Sequence, residues 1–154
     1  MMPQTRRRFL KTTSIGGLAT AAFGCAAPAT SEQAPAEKTV NKPIVISTWN
    51  FGMAANEAAW GILSQGGRAL DAVEVGAMVP ESDPTEQTVG YGGFPDREGK
   101  VTLDACIMDE NGRCGSVAFL QHIKNPIQVA RRVMEKTPHV MLVGDGALQF
   151  ALDE

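Results

Sequence analysis

Histidine and cysteine are scarce in this chain of 154 residues. The two histidines, His122 and His139, stand alone and far apart, and the three cysteines fall at 25, 106 and 114. Neither His-Glu-x-x-His nor Cys-x-x-Cys occurs, so no metal site is expected, and no other cofactor either. A Gly-x-Ser-x-Gly elbow is missing, as are a P-loop and a dinucleotide fingerprint. The acids Asp71, Glu74, Asp83, Asp96 and Asp104 are scattered, and no pair of them is spaced for acid/base work. Long apolar runs, internal repeats and blocks of like charge are also absent.

The amino-terminal end lacks acids altogether, the first being Glu32. It carries Arg6, Arg7, Arg8 and Lys11, then a weakly apolar stretch from Thr12 to Ala27 that is too short and polar to span a bilayer. A positive start, a short apolar region and small residues at its end make an export signal over residues 1–30. Within it, Thr5-Arg6-Arg7-Arg8-Phe9-Leu10-Lys11 resembles the twin-arginine motif, which implies a bacterial protein folded before export and a periplasmic location. Ala22-Phe23-Gly24-Cys25 loosely resembles a lipobox, and Ala27-Pro28-Ala29 offers ordinary cleavage instead; lipid anchoring through Cys25 and release both stay open. Residues 31–40 read as a Pro/Ala/Glu-rich linker.

Of 14 basic and 17 acidic residues, the signal holds four basic ones, which leaves 10 against 17 and a net charge of −7. An acidic body is a poor partner for nucleic acid or an anionic membrane. Roughly 115 residues remain, enough for one modest core.

Along that body, Pro43 to Trp49 predicts a buried strand, being β-branched and aromatic. A helix follows with Asn56 as N-cap and Gln65-Gly66-Gly67 as its stop, and a second runs from about Arg68 to Val79, closed by Pro80. The Gly-rich run Val89 to Asp96 predicts a tight turn. Asn111-Gly112 predicts a hairpin pairing Val101–Asp109 with Cys114–Gln121. With those two residues at the turn centre, Cys106 faces Val117 and Cys114 faces Asp109, so the cysteines are out of register for a disulfide. Leu103, Ala105 and Ile107 then line one face, with Cys106, Val117 and Phe119 on the other, and both faces need cover. Asn125-Pro126 opens a third helix, His139 to Val143 is a further buried strand, and a last helix opens at Ala147. The chain stops at Asp153-Glu154 without a helix-ending signal and reads as a truncation.

Trp49 sits where a strand meets a loop, and its ring suits either a core or a pocket wall. The surrounding residues carry a resemblance. Pro43-Ile-Val-Ile-Ser-Thr-Trp-Asn-Phe-Gly52 and Gly66-Gly67-Arg68-Ala-Leu-Asp-Ala-Val-Glu74 resemble the start of a glycosylasparaginase. The likeness continues through Val89-Gly-Tyr-Gly-Gly93, Thr102-Leu-Asp-Ala105, Ile107-Met-Asp109, His122-Ile-Lys-Asn-Pro126 and Leu142-Val-Gly144, in order, over residues 41–154. The resemblance implies an α/β (α+β) fold, part of the αββα sandwich of N-terminal-nucleophile hydrolases. It also implies a precursor that cuts itself before a Thr, which becomes the amino terminus of a second subunit. That Thr hydroxyl attacks the amide joining Asn to N-acetylglucosamine while its own amine takes the proton.

No Asp here is followed by Thr, the pair between which relatives are cut, so no catalytic residue is carried onto this chain. The chain alone is expected to be inactive. What carries over is a pocket wall: Trp49, with Phe51, and Thr88 where relatives often have a Ser near the nucleophile. The expected partners are the second subunit, a glycosylated asparagine, and further copies in a homo-oligomer, with no nucleic acid. Two alternatives stay open: an exported binding module without catalysis, or a fragment of a β-aspartyl peptidase or asparaginase.

Overall fold

In the computed structural model, residues 42–154 are described. The expected export signal, Cys25 and the expected linker lie outside the described residues. Four helices and three strands follow in the order α1 (Gly52–Leu63), α2 (Ala69–Glu81), β1 (Leu103–Met108), β2 (Cys114–Leu120), α3 (Pro126–Lys136), β3 (Met141–Val143) and α4 (Gly144–Asp153). The strands form one mixed sheet in the order β1-β2-β3, with β1 antiparallel to β2 and β3 parallel to it. Helix α3 is the crossover that a parallel pair requires.

The sheet is covered on one face. Ile107 and Val117 point into a core with Leu120, Ile127, Ala130, Val133 and Ala147, contributed by β1, β2, α3 and α4, and Leu70 of α2 joins it. Gly115 lets α3 lie directly on the sheet, because a Cβ there would overlap the Ala130 carbonyl and the Met134 amide. On the opposite face, Cys106, Ser116 and Met141 stand side by side across the three strands, flanked by Met108 and Val143. Met108, Met141 and Val143 are each more than half exposed, and Cys106 is exposed too. Helices and one mixed sheet make an α/β chain with a helix layer on one sheet face and an open apolar face on the other.

Several local expectations are corrected. The hairpin register differs by one residue: Cys106 pairs with Ser116 and Met108 with Cys114, while Val117 pairs with Ala105 and shares its buried face. The cause is a three-residue loop. Gly112 donates to the Asp109 carbonyl at 3.0 Å and takes φ +77°, and the Asp109 amide donates to the Arg113 carbonyl at 2.9 Å. A type I turn followed by a left-handed Gly is the standard three-residue hairpin, and its odd count moves every partner by one. Asp109 fixes this choice: its carboxylate accepts from the Asn111 and Arg113 amides, both at 2.9 Å, and from Arg113 Nε at 2.8 Å. Burial pushes that carboxyl upward, yet these bonds and the Arg113 charge outweigh it and hold it below the usual range. Further along, Ala118 and Phe119 oppose Asp104 alone, a bulge in which Phe119 takes φ +55° and its amide donates to the Asp104 carboxylate at 2.8 Å.

Residues 43–47 are not a buried strand. They have no ladder partner among the described residues, and Ile44 and Ile46 are 76% and 86% exposed. β-Branched character makes a segment ready to pair but cannot supply the pairing edge. The expected strand at His139–Val143 shrinks to three edge residues whose outer side chains are exposed. Asn56 is not an N-cap either, since α1 begins four residues earlier, where the Gly52 amide donates to the Trp49 carbonyl at 2.9 Å. Its stop is as expected: Gly66 at φ +77°, Gly67 bonding back to Ile62 and Gly66 to Leu63, a Schellman ending. Helix α2 continues through Pro80 to Glu81.

Candidate functional site

A cavity of about 640 Å³ opens between the extended segment 44–49, the inner sides of α1 and α2, the turn at Thr88–Gly90 and the start of β1. Small residues make it. Ala55 and Ala59 of α1 face Gly76 of α2, and together with Ala72 and Ala77 they line a floor without bulk. Trp49, Phe51 and Thr88, which sequence reasoning assigned to a pocket wall, all border this one cavity. They arrive from different places: Trp49 from the end of the extended segment, Phe51 from the lip of α1, and Thr88 from the loop 37 residues further on.

Each has a distinct environment. Trp49 is 70% exposed, so its ring is a wall and not a core element. Its carbonyl accepts the Gly52 amide, which ties the Trp49 backbone to the start of α1. Phe51 is half-buried at the N-cap position of α1. Thr88 is exposed, and its amide and hydroxyl both donate to Glu86 Oε1, the amide at 2.9 Å. Those bonds hold the Glu86 carboxyl below the usual range. Asn56 has a role here that a capping argument misses: its side-chain oxygen accepts the Ser47 hydroxyl, which docks the extended segment onto α1.

A fourth residue escaped sequence reasoning. Glu81, which lines the inner end of the cavity, is one of few buried acids in the described residues. Its Oε1 accepts the Ile127 amide at 3.1 Å, capping α3 from 46 positions away, and Oε2 accepts from Asn125 Nδ2 at 3.3 Å. Asn125, the expected side-chain cap, makes no cap bond and turns instead to Ser82 Oγ at 2.9 Å. Burial raises the Glu81 carboxyl to about 7, against the lowering by Ile127 and Asn125. No sequence signal marks it, since it follows Pro80 in a stretch that reads as a loop. Among the described residues, no three His, Cys, Asp or Glu side chains gather where they could hold a metal ion.

The cavity is a largely apolar recess with a rigid aromatic at its rim and a few hydroxyl, amide and carboxyl groups around it. That composition suits recognition of a small polar molecule. Ser47, Thr48, Thr88, Asp104 and Glu81 among its lining residues can bind and orient such a molecule.

Comparison with known proteins identifies the architecture. The family model described as Asparaginase matches residues 15–154. The chain is 73% identical over 117 residues to the N(4)-(beta-N-acetylglucosaminyl)-L-asparaginase of Elizabethkingia miricola, a match covering 76% of this chain and 34% of that protein. It is 54% identical over 110 residues to the mouse protein of the same name, covering 71% and 32%, and 51% identical over 111 residues to the rat protein, again 71% and 32%. The chain therefore spans about a third of the length of the curated relatives it matches. The match runs through the extended segment, both cavity helices, the sheet and α3, and the chain belongs to the asparaginase family.

Proposed function

We propose that this chain forms one wall of the substrate pocket of a glycosylasparaginase, which hydrolyses the amide between asparagine and N-acetylglucosamine. The observation that carries the reading is the convergence of Trp49, Phe51 and Thr88 on one cavity, in a chain whose relatives bear that name. Trp49 stacks on or encloses the substrate with little entropy lost, because its large ring is rigid and has only two torsions to freeze. The nucleophile comes from a second subunit of the same precursor, a Thr whose own amine serves as base.

The open sheet face supports that partnership. Cys106, Met108, Met141 and Val143 form an apolar surface of the kind that a second sheet covers at about 10 Å. The unpaired segment 43–47 offers a strand edge to the same partner. Delivery is periplasmic, through the twin-arginine signal of residues 1–30, with Cys25 lipidated or removed with the signal, and the assembled enzyme is a homo-oligomer of the two-subunit unit.

The test is direct. A precursor of the relatives' length, once it has cut itself, should release aspartate from glycosylated asparagine. Release from β-aspartyl peptides with none from glycosylated asparagine would instead favour a β-aspartyl peptidase.

A further inference from the structure

Glu81 is a buried carboxylate on which three pieces of chain meet. Through its side chain it holds the first turn of α3, by the Ile127 amide and Asn125 Nδ2. Through its main chain it holds the Gly-rich turn: the Tyr91 amide donates to the Glu81 carbonyl at 3.4 Å. Gly90, at φ +70°, lies so close that a Cβ there would overlap the Glu81 backbone, so the contact tolerates no side chain. Thr88 precedes this clasp by two residues.

Charges on the surrounding elements are occupied elsewhere. Asp71 and Glu74 of α2 pair with Arg131 of α3, and Arg132 pairs with Glu154. In the loop, Asp83 accepts from Thr85 and Glu86 from Thr88, while Asp104 of β1 accepts the Phe119 amide. Glu81 is therefore held by hydrogen bonds and by the positive end of α3 rather than by a cation. Removing its carboxylate leaves the Ile127 amide and the Asn125 side chain without their acceptor in a buried place, and frees the residue whose carbonyl anchors Tyr91.

We propose that Glu81 is a positioning residue for the pocket: by pinning the end of α2 to the start of α3, it fixes the turn that sets Thr88 at the cavity rim. The inference rests on the pocket reading above. In the full precursor, Glu81→Ala should speed amide exchange at Ile127 and Tyr91 by about tenfold beyond any change at Val117 in the core. It should also raise KM for glycosylated asparagine about tenfold, with kcat within about twofold. A role confined to stability would speed all three amides alike and lower the active fraction, leaving KM unchanged. Glu81→Gln keeps the length and an acceptor, and should restore KM to within about threefold below pH 7. Should the Ala variant not fold, the Gln variant decides: wild-type KM should change through pH of about 7, and the variant should lack that change. Tyr91 exchange that follows Val117, or identical KM profiles for Gln variant and wild type, would overturn the proposal. A wild-type precursor inactive on glycosylated asparagine would overturn the functional reading alone, and Tyr91 exchange would still decide the positioning role.

Discussion

At the scale of single residues, the groups that act through space are the ones a sequence conceals. The place of Trp49 at the cavity is legible because its neighbours on both sides carry the family resemblance. Glu81 is not legible, because its partners lie 44 and 46 positions away and only tertiary packing brings them together. Asn125 shows the same limit from the other side: an Asn before a Pro reads as a cap, yet a buried carboxylate takes the cap position and the amide turns to Ser82. Glu81 also sets a pH dependence. Its carboxyl is raised in the folded state, so its contribution to stability is fully present below about pH 4.5 and is lost as pH rises through about 7. After allowance for solvent screening at a cavity wall, the loss is about 2 kcal/mol. Denaturant unfolding of the wild type and of Glu81→Gln between pH 4.5 and 8 checks this; the wild type should lose stability across that window relative to the variant.

At the scale of elements, the boundaries are legible where local chemistry decides and not where a partner decides. The Schellman stop of α1 and the Pro at the start of α3 follow from local geometry. The hairpin itself follows from Asn111-Gly112, but its register depends on Asp109 choosing a three-residue loop, and a one-residue change exchanges the two faces. Segment 43–47 has strand character without an edge to pair with, so its composition predicts more than its surroundings supply. One element contact is sharp enough to test by substitution. Gly115→Ala sets a methyl against the Ala130 carbonyl, which must move α3 off the sheet. The cost is about 1–3 kcal/mol, the usual range for overpacking, and a lowered denaturant midpoint with an unchanged slope measures it.

For the whole molecule, the described residues form a helix-covered sheet with one apolar face bare, and that face accounts for much of the chain's expected behaviour. Met108, Met141 and Val143 lie exposed beside Cys106, a patch of the type that associates. The 154-residue chain alone should self-associate in sedimentation velocity, and Met108→Lys with Met141→Lys should shift it toward monomer. Unchanged association would mean that another surface mediates it. The α/β class and the asparaginase family were legible because short motifs recur in order along the body. The hairpin reads as apolar on both faces and in need of cover on both. Among the described residues one face is covered, and Val117 lies on the buried face instead of the one assigned to it.

Central to this account is Trp49 as a pocket wall, and its exposure makes the prediction sharp. Removing a buried Trp costs about 3–5 kcal/mol, whereas a side chain 70% exposed has little packing to lose. The measurement is Trp49→Ala in the full precursor, with self-cleavage followed on a gel beside steady-state kinetics on glycosylated asparagine. The account predicts cleavage and thermal stability close to wild type, with kcat/KM reduced about tenfold or more. A variant that fails to cleave or falls out of solution, or one that cleaves and retains full kcat/KM, would contradict it.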